Sequence, residues 1–424
     1  CQFFQELSWN FTPKNTAIST HMPLDNIAFS FQSITRNSDN YFKNIKAMVL
    51  DNKGSDYSYG TDTISLNFFK CLKPEVWDMI GDIVNIIFVN GYPKFFRNHK
   101  FVAVPKKSIV SELKHLRPVG VSNSWCHIVE KVFTKQFTHH AEENDFFHEN
   151  QYGFRSKYSI GCLISNLKRH VFSTKHKFYA ILQTDLSNAF GSSDTEIILN
   201  RIGPKFDTRA YSFLKNFLLQ STGIVSFQGE TSHKFNTSPR GFTQGATPSP
   251  VLFCTEMTEI HHRLSEECFT FADDANIVIK SNCKIDLKNK IKKATTDFWN
   301  FCREVNFKLN IEKPFYVTSD NSDLEIEIDG HKLKQKNDLN ILGVRFRSNL
   351  RQDAHIEYLN SCIPKFNHIV NNFRHFINTK NLKMILMSLV YGKINHTLSF
   401  LSEWPISKYF KLQACVNNIL CTIA

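Results

Sequence analysis

Apolar and polar positions alternate on both sides of one acidic pair. Cys268 to Phe271 and Ala275 to Ile279 are apolar runs flanking Asp273 and Asp274, a pattern that predicts a tight β-hairpin with both carboxylates at its tip. Adjacent side chains on an extended strand point to opposite faces, so two carboxylates can aim at one centre only where the backbone turns. Phe178 to Leu182 is almost continuously apolar, as in a strand buried on both faces. Leu324 to Ile328 alternates strictly and predicts another strand, Phe101 to Pro105 a short one, and Gly223 to Gln228 with Lys234 to Asn236 a hairpin.

Other stretches carry helical spacing. Pro74 to Asn90 predicts an amphipathic helix with Val76, Ile80, Ile83, Ile87 and Phe88 on its apolar face, closed by Gly91 and Pro93. Val129, Val132, Phe133 and Phe137 mark a core helix within Ser124 to Phe137. Helices are also expected at Asp194 to Ile202, Ala210 to Gln220 and Ile285 to Val305, from near Ser159, and within Phe29 to Val49. Three helical patterns end the chain: Ile356 to Ile377, Leu382 to Leu401 and Lys408 to Ile419. The mixture is that of an α+β protein.

Candidate chemistry concentrates at three places. Carboxylates crowded together repel, and a divalent cation relieves that repulsion; Asp273 and Asp274 are one such pair. A third carboxylate, Asp185, follows the apolar strand at 178–182 and precedes Leu186-Ser187-Asn188-Ala189-Phe190. Between these sites, Arg240 to Phe253 is a Gly/Pro-punctuated turn leading into an apolar helix, and Gln244 stands where the backbone can approach a ligand closely.

Composition narrows the setting. The 424 residues carry 51 Lys and Arg against 39 Asp and Glu, a net charge of +12, which suits a polyanionic partner bound in a salt-dependent way. The 39 phenylalanines are read as coding bias toward AT-rich codons, not as stacking platforms. Eleven cysteines without a CxxC pair or zinc spacing point to free thiols in a reducing compartment. His139, His140 and His148 are read as a polar helix face rather than a metal site. The most apolar stretch, Met79 to Val89, is broken by Asp82 and Asn85, so no membrane span is expected. No signal peptide is visible, and the chain opens at Cys1 without Met, as a segment of a longer polyprotein would.

The three acidic and glycine-rich stretches together resemble the palm of reverse transcriptases, nearest to the LINE-type, non-LTR retrotransposon enzymes. Asp185 to Phe190 resembles motif A. Arg240-Gly241, Gln244-Gly245 and Ser249-Pro250 resemble motif B, and Phe271 to Asp274 motif C. Around them, Gly60 to Ser65 resembles the Gly-x-Asp-Gly-Ile-Ser element of the N-terminal extension, with Thr63 where the family has Gly. Asn150 to Arg155 resembles the Gln-x-Gly-Phe-Arg element, Leu309 to Lys313 motif D, and Ile341 to Phe346 the primer-grip hairpin of motif E.

The resemblance implies a right-hand polymerase fold. It would comprise an N-terminal extension (1–60), fingers with part of the palm (61–175), a palm with an antiparallel sheet (176–346) and a helical thumb (347–424), the reverse transcriptase domain covering about 98–346. The implied activity is RNA-directed DNA polymerisation by two-metal phosphoryl transfer, extending a DNA primer on an RNA template with dNTPs. Two Mg²⁺ ions, for which Mn²⁺ can substitute, would be held by Asp185, Asp273, Asp274 and the Leu186 carbonyl, and Lys313 would protonate pyrophosphate. Lys106 or Lys107 with Arg117 would hold the triphosphate, Phe190 would lie under the sugar, and Gln244 would position the nucleotide. Arg155 is either a template contact or a structural donor, and Gly343 belongs to the primer grip. The family setting implies an endonuclease domain elsewhere in the polyprotein and residence in a cytoplasmic ribonucleoprotein and the nucleus.

Two further positions depart from the family pattern: Gly191 replaces an Asp after Ala189-Phe190, which predicts a looser turn, and Thr243 replaces a frequent Pro. A group II intron-type reverse transcriptase and an inactive, domesticated nucleic-acid-binding palm are the alternatives.

Overall fold

The computed structural model describes residues 28–34, 45–50, 60–106, 108–219, 221–227, 229–237, 241–311, 313–398 and 406–423. Lys107 and Arg240, both singled out in the sequence, lie outside them, as do Gln220, Gln228, Leu401 and most of the N-terminal extension. The chain divides into two compact units. One comprises Cys1–Ser156, Asp185–Leu264 and Asp297–Asn310, the other Lys157–Thr184, Ser265–Thr296 and Ile311–Ala424.

The first unit holds a sheet of β1 (Asn98–Pro105), β2 (Leu116–Val121), β4 (Thr222–Phe227), β5 (Glu230–Thr231) and β6 (Phe235–Asn236), numbered around β3 (Phe178–Thr184) of the other unit. β1 and β2 form an antiparallel hairpin, while β4 joins β1 in parallel, with Phe101 opposite Val225. That parallel junction has no local signature, because parallel strands come from distant segments. The core beneath is aromatic. Phe133, fully buried on helix Ser124–Glu143, has ring neighbours Phe29, Phe31, Phe137 and Phe213 with centroids 5.1–6.1 Å away. Such offset and edge-on pairs add to the burial of large apolar surfaces.

Helix Pro74–Asn90 keeps its predicted bounds but turns a different face inward: it buries Trp77, Ile80, Val84 and Phe88, leaving Val76 and Ile83 exposed. The indole and benzyl rings at 77 and 88, with Asn85 bonded to the Ile34 backbone, fix the rotation of the helix. At Thr63, where the family has Gly, the backbone keeps a left-handed φ of 57°. The adjacent Asp62 carboxylate accepts from the Ser124 backbone N–H at 2.8 Å and so anchors this turn.

The second unit is built on a sheet in the order β12-β9-β3-β8-β7, adding β7 (Glu267–Phe271), β8 (Asp274–Ser281), β9 (Phe315–Thr318) and β12 (Lys334–Gln335). β3 pairs antiparallel with both β8 and β9, and is mostly buried along its length as the apolar run predicts. β12 adds a parallel edge. Only Glu327–Ile328 of the expected 324–328 strand forms, as β10, paired with β11 (His331–Lys332). Upstream, the Tyr316 hydroxyl accepts from the Leu324 N–H and Glu325 takes φ 48°, so those residues make a turn instead. The strand that does cross the sheet is β9, whose Phe-Tyr-Val-Thr composition is its signal. β13 (Asp338–Ile341) and β14 (Val344–Arg347) form the expected hairpin.

The C-terminal helices are Asp353–Phe373, Thr379–Leu386, Gly392–Leu398 and Ile406–Ile423, with a π-turn at Met387–Tyr391. They share a core of Ile356, Leu359, Ile363, Leu386, Val416 and Ile419. Among the described residues no helix is long and apolar enough to cross a membrane, and the cysteines are free.

We predict that Phe133→Ala lowers stability by about 3–5 kcal/mol, as large-to-small changes in a close-packed aromatic core do. Urea unfolding measures this, and an unchanged midpoint would show that the aromatic cluster is not the core of its unit.

Candidate active site

The acidic hairpin lies in the second unit. Phe271 pairs with Asp274, so Ala272 and Asp273 alone form the turn, and Ala272 supplies the positive φ of 56° that a two-residue hairpin loop requires. This corrects the expectation of two aspartates at the tip: Asp273 is half-buried in the turn, whereas Asp274 opens β8 and is exposed. Behind them, Gln183 donates to the Asn276 carbonyl oxygen at 2.6 Å and to the Asn340 backbone carbonyl at 3.1 Å. Asn276 in turn donates to the Phe269 carbonyl at 3.4 Å, a polar rung inside an otherwise apolar sheet. The β3–β8 register ends with Thr184 opposite Ala275. Asp274, just before Ala275 in sequence, is the first residue of β8, and Asp185 follows the end of β3.

In the first unit the chain from Asp185 turns at once. Leu186 is buried and bridges Leu309, and the Ser187 N–H donates to the Lys308 carbonyl at 2.8 Å, which ties the motif A stretch to the start of motif D. Asn188 takes φ 53°, and Phe190 follows in the short helix Ala189–Ser192. The half-buried Phe190 ring stacks on the fully buried Phe253, with centroids 4.8 Å apart, and meets the exposed Phe154 edge-on at 6.5 Å. One face of the ring is therefore core, and the side chain still reaches solvent.

The glycine-rich turn closes on this segment. The Phe242 N–H donates to the Phe190 carbonyl and the Gly241 N–H to the Ser193 carbonyl, both at 2.7 Å. Gly241 has φ +79°, and a Cβ there would lie 2.8 Å from the Gly191 Cα. At Gly191 a Cβ would fall on the Asn188 amide. The turn at Gly191 is thus closely packed, which corrects the expectation of a looser one. Gln244 is half-buried, and its amide donates to the Asn188 side-chain oxygen at 3.4 Å. Asn188 was not among the sequence candidates; its signal is an Asn in a tight turn, the residue type that tolerates left-handed backbone. Helix Ser249–Arg263 follows. On it, burial pushes the Glu256 carboxyl up to about 8, against the opposing pull of Arg201, so this group is largely uncharged near neutral pH.

The fingers candidates share one hairpin of the first unit. Val104 pairs with Arg117, and the Lys106 N–H extends the ladder to the His115 carbonyl at 2.7 Å. Both Lys106 and Arg117 are exposed. Arg155 is a different case. Its guanidinium donates to Glu142 from Nε (2.9 Å) and Nη2 (2.6 Å), and from Nη1 to the His148 (2.8 Å) and Gln151 (3.0 Å) carbonyls. These bonds engage most of the fork, the pattern expected of a structural donor. In the second unit Lys313 is exposed, and Gly343 closes the β13–β14 turn with φ +91° after Leu342 at 50°. The His396 ring nitrogen lies 3.0 Å from the Leu342 carbonyl at the same turn.

Residues 104–346 match the family described as "Reverse transcriptase (RNA-dependent DNA polymerase)". The chain belongs to the reverse transcriptase family. It is 21% identical over 318 residues to a probable RNA-directed DNA polymerase from transposon BS of Drosophila melanogaster, covering 71% of this chain and 35% of the relative. A second relative, a probable RNA-directed DNA polymerase from transposon X-element of the same organism, is 24% identical over 208 residues, 46% of this chain and 22% of its own. The chain therefore spans about a third or less of the length of these relatives. Two solved telomerase structures from Candida tropicalis are similar at 11% identity. An apo, C-terminally truncated form has a TM-score of 0.43 over 65% of this chain and 59% of its own. A complex with a telomeric RNA fragment has 0.46 over 82% and 64%.

The expectation of a LINE-type reverse transcriptase domain with a mixed α and β fold is met. Divalent metal ions are general in this family. Among the described residues no group of three or more His, Cys, Asp or Glu side chains is gathered as a metal cage. Asp273 and Asp274, adjacent in the second unit, nonetheless offer carboxylate oxygens, the donor type that a hard cation takes.

We predict that Gly241→Ala lowers stability by about 1–3 kcal/mol, because it adds a Cβ against backbone at a left-handed position. Gly191→Ala should lose less, since the Asn188 side chain can rotate aside. Equal thermal midpoints for the two variants would refute the close-packed turn.

Proposed function

We propose that this reverse transcriptase domain extends a DNA primer on an RNA template within a non-LTR retrotransposon, with Asp185, Asp273 and Asp274 as the catalytic carboxylates. The β3–β8 register supports the reading: at its last pair, Thr184 with Ala275, Asp185 comes next after Thr184 in sequence and Asp274 just before Ala275. These carboxylates would hold two Mg²⁺ ions, or Mn²⁺ in their place, with the Leu186 carbonyl as a further ligand. The metal, when bound, neutralises charge on the phosphoryl oxygens and favours the attacking 3′-oxygen.

The chain's own residues bind and orient. Lys106 and Arg117 on the β1–β2 hairpin hold the triphosphate of the incoming dNTP, Arg as a fork and Lys as a point charge. Gln244 and Phe190 meet the nucleotide from the packed turn, Phe190 beneath the sugar. Lys313 donates a proton to the departing pyrophosphate, and the β13–β14 turn at Gly343 supports the primer. The proposal extends to a longer protein that carries an endonuclease and acts in a ribonucleoprotein and the nucleus.

Extension of an oligo-dT primer on poly-rA tests the activity directly, with magnesium present and again after chelation. No metal-dependent product would leave the domesticated, non-catalytic reading in its place. We predict that Asp273→Asn reduces extension by about 10³-fold or more while the fold is kept, because a metal-binding charge is lost at the site of phosphoryl transfer. Retention of about a tenth of wild-type rate would remove Asp273 from the metal site, since it is far above the expected residue of activity.

For Phe190→Val we predict a rise of about ten-fold or more in ribonucleotide over deoxyribonucleotide kcat/KM, as the steric block on a 2′-hydroxyl is relieved. The stack on Phe253 means the variant also loses some stability. An unchanged ratio in folded protein would make Phe190 core alone.

A further inference from the structure

Glu130 lies on helix Ser124–Glu143 and is only 1% exposed. Its Oε1 accepts from the Tyr92 hydroxyl at 2.8 Å and the Cys126 thiol at 3.0 Å. Its Oε2 accepts from the Thr247 backbone N–H at 3.1 Å. Burial, and then the neighbouring carboxylate, raise the pKa values of Tyr92 and Cys126 well above their ordinary values, so both remain protonated. Burial also pushes Glu130 up, and its three donors pull it back. A site that supplies donors is what an acceptor-only carboxylate needs.

The bond to Thr247 ends in the turn that carries Gln244. Helix Ser249–Arg263 begins just after it, with Pro248 at the N-cap and no side-chain cap, so backbone N–H groups there look for other acceptors. Glu130 accepts from the residue just before that N-cap, Thr247, reaching from a helix far away in sequence. The same turn is held at its other end by the Gly120 N–H on the Gln244 carbonyl, at 2.6 Å. Inside it, the Thr243 carbonyl accepts from the Ala246 N–H at 3.1 Å and from the Ser249 hydroxyl at 2.8 Å.

We propose that Glu130 is a positioning residue for nucleotide binding: through the Thr247 N–H it fixes the turn at 243–249 and thereby the place of Gln244. The inference rests on the reading that Gln244 meets the incoming nucleotide. Glu130 itself touches no substrate. A purely structural Glu130 would support stability alone, whereas a positioning Glu130 also sets the affinity for dNTP.

The test measures KM for dTTP and, separately, for poly-rA/oligo-dT. Glu130→Met keeps the volume and removes the acceptor; it should raise KM for dTTP by about ten-fold or more, the scale of a lost charge-assisted hydrogen bond. KM for template–primer should stay within about two-fold, because no nucleic-acid contact is altered. Glu130→Gln, which can still accept from Thr247 and donate to the Tyr92 oxygen, should recover most of the loss. Phe133→Ala, on the same helix but remote from the turn, should lower stability with KM for dTTP unchanged.

Should Glu130→Met fail to fold, Glu130→Asp carries the test. It keeps the charge but draws it back from Thr247, and a raised KM for dTTP is expected again. Unchanged KM for dTTP in either folded variant, or a Gln variant as impaired as the Met variant, overturns the proposal. Gln244→Ala is run alongside. If it raises KM for dTTP while the Glu130 variants do not, Glu130 alone is excluded. If Gln244→Ala has no effect while Glu130→Met does, the role assigned to Gln244 falls and the turn remains the element that Glu130 positions.

Discussion

The antiparallel ladder between β3 and β8 is the constraint on which the second unit depends. It runs from Phe178 opposite Ser281 to Thr184 opposite Ala275. β3 is central, with β9 on its other side, so both of its edges are hydrogen-bonded and its register cannot slip without breaking the pairing to both neighbours. Because the side-chain period of a strand is two, a one-residue slip would exchange its two buried faces, with their different side chains, and change which residues adjoin the last pair. The register that buries the apolar run is therefore the same one that leaves Asp185 and Asp274 next in line.

The first unit depends on close backbone approach. Phe190 and Ser193 offer carbonyls to the Phe242 and Gly241 N–H groups, and Gln244 offers its carbonyl to Gly120. Three stretches remote in sequence thus meet through main-chain bonds, which require small residues at the crossing points. A buried carboxylate, Glu130, adds a side-chain tie to the same turn. Such an arrangement fixes the place of Gln244 by surrounding it with satisfied donors and acceptors rather than by apolar bulk.

Local patterns in the sequence were sufficient for much of this. The apolar run at 178–182, the paired runs around Asp273 and the helix at 74–90 each carry their period within a dozen or so residues, and each element formed. What was not legible depends on partners far away in the chain. The face that helix Pro74–Asn90 buries is chosen by what packs on Trp77 and Phe88, and neither ring says so in sequence. The parallel pairing of β4 on β1 has no turn to announce it. Arg155 looked equally suited to phosphate and to carboxylate until Glu142 appeared beside it. Glu130 sits among apolar neighbours on a core helix, and nothing in the sequence announces its three donors.

Gly191 shows how a departure from a family pattern can be absorbed. The resemblance leads one to expect Asp there, and glycine alone suggested slack. In the fold, Gly191 is the surface against which Gly241 packs, and a side chain at 191 would displace Asn188, the acceptor for Gln244. Asn188 in turn holds a left-handed backbone that only a few residue types tolerate well. The three positions are consequently one packing decision: a larger residue at 191 would demand a different rotamer at 188 and a wider crossing at 241. Glycine at 191 is therefore matched to a tight, hydrogen-bonded crossing that leaves no room for a side chain without moving Asn188.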